Sequence, residues 1–137
     1  MTLHVELLMP DRSLWSGEAS MVIAKTMDGD VGILAGRAPV FGILSPGSMV
    51  RIQPFAGDEE VSTTEVRAAV RDGFLSVTDD RVSILASLGL LADDVNVSSA
   101  QADLDTATAE AGSPAAAEES VEVKYARAQL RAAGEQA

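Results

Sequence analysis

The stretch of sequence that decides the fold is Gly29-Asp30-Val31-Gly32-Ile33-Leu34-Ala35-Gly36-Arg37-Ala38-Pro39. Three glycines and a proline interrupt a short apolar run, and this spacing predicts a turn, a short strand and a second turn. A phosphate-binding loop would instead need Gly-x-x-x-x-Gly-Lys-Ser/Thr, in which the lysine meets the phosphates and the hydroxyl binds magnesium. Because the stretch has no lysine, we expect a loop built for shape and display rather than for nucleotide binding.

The residues on either side of this loop, up to about residue 92, have the pattern of short β-strands. Apolar residues alternate with polar or small ones in Thr63–Val70, which is typical of a half-buried strand. Phe74–Val77 and Val82–Leu85 flank Thr78-Asp79-Asp80-Arg81, and this arrangement predicts a hairpin. No helical pattern interrupts the strands. We therefore expect residues 1–92 to form an antiparallel β-sandwich or flattened barrel.

After residue 92 the sequence becomes alanine-rich and loses the strand pattern. Ser98-Ser99-Ala100-Gln101 fits a capping box, and Gly112-Ser113-Pro114 can end one helix and begin the next. We expect a helical hairpin in residues 93–137, with helices over about 99–111 and 114–133. The apolar stripes of the two helices are Ala100, Leu104, Ala107 and Ala111, and Val123, Ala126, Leu130 and Ala133. Because a buried methyl contributes only about 0.8 kcal/mol, we expect marginal docking and a mobile tail.

The composition excludes several classes of protein. Hydrophobic residues make up 47% of the chain but aromatic residues only 4%, so we expect an aliphatic core. A net charge of −11 argues against nucleic acid and anionic lipid as partners. The absence of cysteine excludes disulfides and thiolate chemistry. The sequence contains neither a signal-peptide pattern nor an apolar run that could span a membrane, so we expect a soluble protein without direct membrane insertion.

The residues do not assemble into a catalytic constellation. His4, the only histidine, is expected on a solvated strand face. Asp79-Asp80 is expected to cap a hairpin turn, and Asp58-Glu59-Glu60 to form a solvated loop without a calcium pattern. Trp15 precedes a predicted Ser-Gly turn and is expected to seal one end of the sandwich, while Met27 is expected in the core with other methionines. We therefore expect no catalytic residue, no cofactor and no metal.

Five motifs follow one another in order over roughly residues 3–95. They are Pro10 through Trp15-Ser16-Gly17-Glu18; Gly29-Asp30-Val31-Gly32-Ile33-Leu34 with Gly36-x-Ala38-Pro39; Pro46-Gly47-x-x-Val50-Arg51-Ile52; Asp72-Gly73 with Phe74-Leu75-x-Val77; and Val82-x-Ile84-Leu85-Ala86. As an ordered set they resemble the epsilon subunit of F-type rotary ATP synthases. The sequence departs from that family at Ala35 and Arg37, where the family usually has proline and histidine.

The resemblance implies a non-catalytic central-stalk subunit, which couples proton-driven rotation of the c-ring to ATP synthesis. It also implies a peripheral position at the cytoplasmic face of the cell membrane. The sandwich is then expected to hold the gamma subunit on one side and the c-ring on the other. The implied contact loop comprises Asp30, Val31, Gly32, Arg37, Ala38 and Pro39. Within it, Asp30 is expected to face the polar loops of the ring, and Arg37 to approach gamma or the ring.

The C-terminal basic residues have two interpretations. Lys124, Arg127 and Arg131 lie at i, i+3 and i+7, so they share one helical face. That face is either a solubilising stripe or, as the resemblance implies, a contact with an acidic segment of the catalytic beta (and alpha) subunits that restrains ATP hydrolysis. Some relatives bind ATP through Ile/Leu-Asp-x-x-Arg-Ala. Here Asn96 and Ser99 replace the acid and the arginine, so we expect no ATP sensing through that motif.

The alternative function is a free-standing β-sandwich that binds a ligand such as a carbohydrate. That function would need exposed aromatic residues for stacking, and Trp15 and Tyr125 lie far apart in the sequence. A hydrolase with a carboxylate pair is disfavoured because no matched acid and base can be assembled.

Overall fold

The computed structural model describes residues 2–55 and 65–135, which form a β-rich region followed by helices. The predicted solvated loop at Asp58-Glu59-Glu60 lies outside the described residues. The strands are β1 (Leu3–Leu8), β2 (Ser13–Thr26), β3 (Gly29–Leu34), β4 (Val40–Ile43), β5 (Ser48–Pro54), β6 (Val66–Val70), β7 (Gly73–Thr78), β8 (Arg81–Ala86) and β9 (Gly89–Leu91). A 3₁₀ turn (Ala92–Asp94) leads to α1 (Val97–Ala111), α2 (Pro114–Glu119) and α3 (Val121–Ala132).

The strands form one sheet in the order β4-β7-β8-β1-β2-β5-β6-β9, with β3 paired to β2. The pairing is antiparallel except between β1 and β8, which run parallel from His4 opposite Arg81 to Leu8 opposite Leu85. The predicted β-sandwich is therefore confirmed, and the expectation of purely antiparallel pairing is wrong at this one ladder. In the described chain the two end strands, β4 and β9, do not pair with each other, so the sheet is not a closed barrel.

The long strand β2 allows the sheet to fold over a single core. Its first half pairs with β1, and its second half pairs with β3 and β5. Side chains alternate between buried and partly exposed positions along β1 and β8, as expected for strands with one face on a core. The core is aliphatic, as the composition predicts. Its largest fully buried members include Leu3, Leu7, Ile33, Leu44, Ile52, Leu75 and Ile84.

The turn that the sequence predicts after Trp15 does not exist. Ser16 and Gly17 lie within β2 and pair with Glu6 and Val5 of β1. Gly17 serves close packing instead, because a Cβ at this position would lie 3.1 Å from Cη2 of Trp15. The indole ring of Trp15 thus lies over the backbone of Gly17, in the space that a side chain at this position would fill. Trp15 is partly buried and packs against the edge of the core.

The helical region differs from the prediction at two helix ends. The N-cap of α1 is Asn96, whose side chain accepts a hydrogen bond from the Ser99 N–H at 2.9 Å, so the helix begins before the predicted capping box. The single helix predicted over 114–133 is two helices, α2 and α3. Ser120 interrupts it with extended backbone (φ −69°, ψ 126°), and its hydroxyl accepts from the Val123 N–H to cap α3.

In this structure α3 is docked on the sandwich. Tyr125, Ala128 and Ala132 of α3 form a buried cluster with Ala69 of β6. The loop before β5 lies so close to the helix that a Cβ at Gly47 would overlap the Cβ and the backbone carbon of Lys124. The contact is therefore made through one aromatic side chain, alanines and close backbone approach, and its α3 residues lie outside the predicted apolar stripe.

Candidate functional site

The loop implied by the resemblance is a strand followed by an exposed turn. Asp30 and Gly32 are exposed on β3, and Val31 packs against the core between them. Arg37, Ala38 and Pro39 are also exposed, beyond the end of β3. Positive φ angles at Gly29 (117°) and Gly36 (85°) explain two of the three glycines, because other residues rarely adopt this conformation.

Two hydrogen bonds brace this exposed turn. The Arg37 guanidinium donates to the Gly32 carbonyl at 2.8 Å, and the Gly36 N–H donates to the Asp80 carboxylate at 2.6 Å. Asp79 and Asp80 have φ angles of 50° and 61°, as expected for aspartates in a tight hairpin. Asp80 thus has a second role that the sequence did not reveal. Within the described residues no ion pair joins Asp30 to Arg37, so the two charges act separately.

An exposed apolar patch, which the sequence analysis missed, adjoins the loop. We call it the outer patch, and it comprises Met27, Phe41, Ile43 and Phe74, which are 65%, 69%, 60% and 40% exposed. Ile43 and Phe74 pair across β4 and β7, and the rings of Phe41 and Phe74 lie 5.7 Å apart. Met27 lies in the turn between β2 and β3 with its side chain exposed, so the prediction that it belongs to the core is wrong. Its N–H donates to the Ile43 carbonyl, which places the turn beside β4.

The sequence carried a signal for the outer patch. Val40–Leu44 is an almost continuous apolar run, although a sandwich strand has only one face on the core. The second apolar face therefore has no place in the core of the monomer, and clustered exposed apolar residues mark interaction surfaces.

The three C-terminal basic residues line one cleft between α3 and the sheet. Lys124, Arg127 and Arg131 form its helical wall, and Lys25 of β2 and Arg51 of β5 lie on the sheet wall. The cleft also contains Asp30 and Glu118 and has a volume of about 460 Å³. Arg127 pairs with Glu118 at 3.2 Å, and Arg51 pairs with Glu65 at 2.9 Å. The structure therefore brings the predicted tail residues together with two cations that are distant in sequence.

A salt bridge and a buried phenol anchor α3 on its other side. Arg71, which follows β6, pairs with Glu122 at 2.7 Å, and this hydrogen bond is the main cause that lowers the pKa of Glu122. Tyr125 is 9% exposed, and its burial raises the pKa of its hydroxyl. The salt bridge and the buried phenol therefore hold one face of α3 on the sandwich, and the opposite face of α3 lines the open, basic cleft.

The remaining polar candidates have structural partners. His4 Nδ1 lies 3.1 Å from Glu18, and Thr2 donates to the same carboxylate, so the pKa of Glu18 is lowered first by Thr2 and then by His4. Asn96, the residue in place of a motif acid, caps α1 through the amide of Ser99. Across residues 2–55 and 65–135, no group of three or more acidic, histidine or cysteine side chains could hold a metal.

Comparisons with known proteins agree with this fold. The family model described as "ATP synthase, Delta/Epsilon chain, beta-sandwich domain" matches residues 2–89. The ATP synthase epsilon chain of Thermobifida fusca is 50% identical over 132 residues, covering 96% of this chain and 91% of the relative. That of Streptomyces griseus is 42% identical over 113 residues, with 82% of this chain and 86% of the relative covered.

A solved structure with the same fold is that of the Euglena gracilis mitochondrial ATP synthase, described as OSCP/F1/c-ring in rotational state 1. It matches with a TM-score of 0.76 at 18% identity, covering 98% of this chain and 82% of the other. At that identity the match supports the fold alone.

The chain belongs to the delta/epsilon family of ATP synthase chains. Its curated relatives place it among the epsilon chains, which makes it a non-catalytic subunit of ATP synthase. No helix in the described ranges is long and apolar enough to cross a membrane.

Proposed function

We propose that this chain is a rotor subunit of the central stalk, which couples c-ring rotation to ATP synthesis and restrains ATP hydrolysis through its C-terminal helix. The observation that carries the proposal is the outer patch. It is an exposed apolar surface beside a braced, exposed loop on a rigid sandwich of the epsilon family. We assign the outer patch to the gamma subunit, because an apolar surface of this kind favours a lasting protein contact.

The c-ring contact is assigned to the turn-bearing segment around β3. Asp30, Gly32, Arg37, Ala38 and Pro39 are exposed there, so they can meet polar loops of the ring at the cytoplasmic face of the membrane. The hydrogen bonds of Asp80 and Arg37 to the backbone hold this segment in one conformation. They favour a role in the ring contact, because a contact that deforms would not transmit torque.

The C-terminal helix is proposed to work between two positions. In the docked position Lys124, Arg127 and Arg131 line the cleft against the sandwich. To meet an acidic segment of the catalytic beta and alpha subunits, α3 has to leave the sandwich. The docked position therefore permits hydrolysis, and the undocked position restrains it. The extended backbone at Ser120 and the left-handed Gly112 offer pivots between the helices.

The alternative ligand-binding module gains no support from Trp15 or Tyr125, and the exposed rings of Phe41 and Phe74 belong to the outer patch that we assign to gamma. Tyr125 is buried beneath α3, and Trp15 is partly buried against the core.

The test of the rotor assignment uses two surface variants. Phe41→Ser combined with Ile43→Ser should weaken binding of the isolated chain to gamma at least tenfold, since an apolar anchor contributes about 2 kcal/mol. Asp30→Arg should leave gamma binding unchanged but lower proton pumping by the reconstituted enzyme. Titration calorimetry measures the first effect, and quenching of a pH-sensitive dye in vesicles measures the second.

Matched controls are available on α1. Val97→Ser removes an exposed apolar side chain away from the outer patch, and Asp103→Arg reverses an exposed charge away from β3. If the patch variant binds gamma as tightly as Val97→Ser does, the outer patch is not the gamma surface. If Asp30→Arg pumps as well as Asp103→Arg, Asp30 does not face the ring.

A further inference from the structure

The distribution of positive charge is uneven in this acidic chain. The sequence has ten lysines and arginines and a net charge of −11. Five of the ten line the cleft between α3 and the sheet, and the acids that line it within the described residues are Asp30 and Glu118. A cleft with one predominant sign of charge concentrates ions of the opposite sign.

Two of these cations, Lys124 and Arg131, form no ion pair within the described part of the chain. Arg51 and Arg127 have partners in Glu65 and Glu118, and Lys25 lies opposite Asp30 across β2 and β3. The excess positive charge of the cleft therefore lies on its helical wall, whereas each cation of the sheet wall has an acid beside it. An anion between the walls would attract Lys124 and Arg131 and, by also reaching Lys25, would join the two walls.

The shape and chemistry of the cleft define the class of anion. Its volume of about 460 Å³ lies within the range of small-molecule sites. Guanidinium forks and lysine ammonium groups are the side chains that proteins use for phosphate oxygens. None of the described residues that line the cleft is aromatic, so they offer no stacking surface for a nucleobase.

We propose that this cleft binds a compact anion carrying two or more phosphate groups, which bridges α3 and the sheet and holds the helical region docked. The site lies between α3 and strands β2 and β5, and it does not involve the segment around Asn96 and Ser99. The proposal goes beyond the rotor function and does not rest on it, because binding can be measured on the isolated chain.

The experiment titrates the full-length isolated chain with pyrophosphate and tripolyphosphate by calorimetry, at low salt and without divalent cations. One site is expected, with tripolyphosphate binding more tightly than pyrophosphate, and with affinity that falls as salt is added. ATP should bind no more tightly than tripolyphosphate, because only its phosphates are recognised. Hydrogen exchange of the α3 amides should slow when the anion is bound.

Variants locate the site. Lys25→Gln combined with Arg131→Gln should lower the affinity for tripolyphosphate by roughly tenfold, as expected for the loss of two exposed charges. Asp30→Asn should raise the affinity, because it removes an opposing charge from the same cleft. The matched control, Arg12→Gln with Arg81→Gln, removes two exposed arginines that do not line the cleft. This control should stay within about twofold of the parent.

Three results would overturn the proposal. The first is the absence of binding at millimolar tripolyphosphate. The second is an equal loss in the cleft variant and the control, which would show diffuse attraction. The third is ATP binding that exceeds tripolyphosphate and ignores the cleft variants, which would show a nucleotide site elsewhere.

Discussion

Replacing Gly47 with alanine should push α3 off the sandwich. Gly47 has a φ of 60°, and a Cβ at this position would lie 2.5 Å from the amide nitrogen of Tyr125. Ordinary contact needs about 3.5 Å, so the helix has to retreat by roughly 1 Å. The backbone strain of alanine at positive φ, about 1–2 kcal/mol, affects the docked and undocked positions alike. The overlap affects only the docked position.

The loss of docking free energy in Gly47→Ala can be estimated from the burial of the Tyr125 side chain. An aromatic side chain buries about 150–250 Å², and at 25 cal/mol per Å² the burial of Tyr125 contributes at most about 4–6 kcal/mol. A gap of up to 1 Å forfeits about a quarter to a half of contact energy. The docked position should therefore lose roughly 1–3 kcal/mol, which shifts the equilibrium toward the undocked position by about 5- to 150-fold.

Hydrogen exchange measures this shift directly. A free helix as short as α3 is marginal in water, so its amides exchange when it undocks. The amides of α3 should exchange about 5- to 150-fold faster in Gly47→Ala, while those of β1 and β8 keep their relative protection. Gly29→Ala is the matched control, because it imposes positive-φ strain where a Cβ would meet no described atom within 4 Å apart from its chain neighbours. Equal exchange of α3 in both variants would refute the close-approach argument.

Two further predictions concern other contacts. Asp80→Ala should lower the free energy of unfolding by about 1–2 kcal/mol, because it removes the acceptor of the Gly36 N–H and places alanine at positive φ. Asp80→Asn keeps an acceptor and should stay within about 0.5 kcal/mol of the parent. Thermal denaturation distinguishes the two variants, and equal stability would contradict the bracing role of Asp80. The hydrogen bond from Arg71 lowers the pKa of Glu122 below its ordinary value of 4.5. The salt bridge therefore contributes to docking at pH values above 4.5, and this contribution is lost as the pH falls through the lowered pKa. An NMR titration of Glu122 should show that lowered pKa, and Arg71→Gln should return it toward 4.5; an unchanged titration would contradict the salt bridge.

The sandwich was predictable because its signals are local. Alternating burial in β1 and β8, the Asp79-Asp80 hairpin and the glycines at 29 and 36 all act within a few residues of sequence. The parallel pairing of β1 and β8 was not predictable, since it joins segments that are nearly 80 residues apart. The glycine at position 17 was wrongly predicted to form a turn. It is needed because the ring of Trp15 on the same strand occupies the space of a side chain, and the presence of a glycine does not distinguish this packing role from a turn.

The candidate sites were predictable only in part. The helical face of Lys124, Arg127 and Arg131 follows from spacing, but Lys25 and Arg51 join it only after the sheet has folded. Ser120 stands among alanines and glutamates that favour a continuous helix, so its role as a cap was hidden. Met27 is exposed because it lies in the two-residue turn between β2 and β3, so its residue type alone was a poor guide to its burial.

The central claim, that docking of α3 permits hydrolysis, is tested most directly by locking the helix in place. The chain has no cysteine, so Arg71→Cys with Glu122→Cys gives two unique thiols at positions whose native side chains touch. The isolated chain is joined by a short, cleavable bis-maleimide and then reconstituted into the ATP synthase, with a monofunctional maleimide as the control. The locked enzyme should hydrolyse ATP as fast as an enzyme lacking residues 113–137, and cleavage of the linker should restore the restraint. Hydrolysis at the same restrained rate in the locked and control enzymes would contradict it.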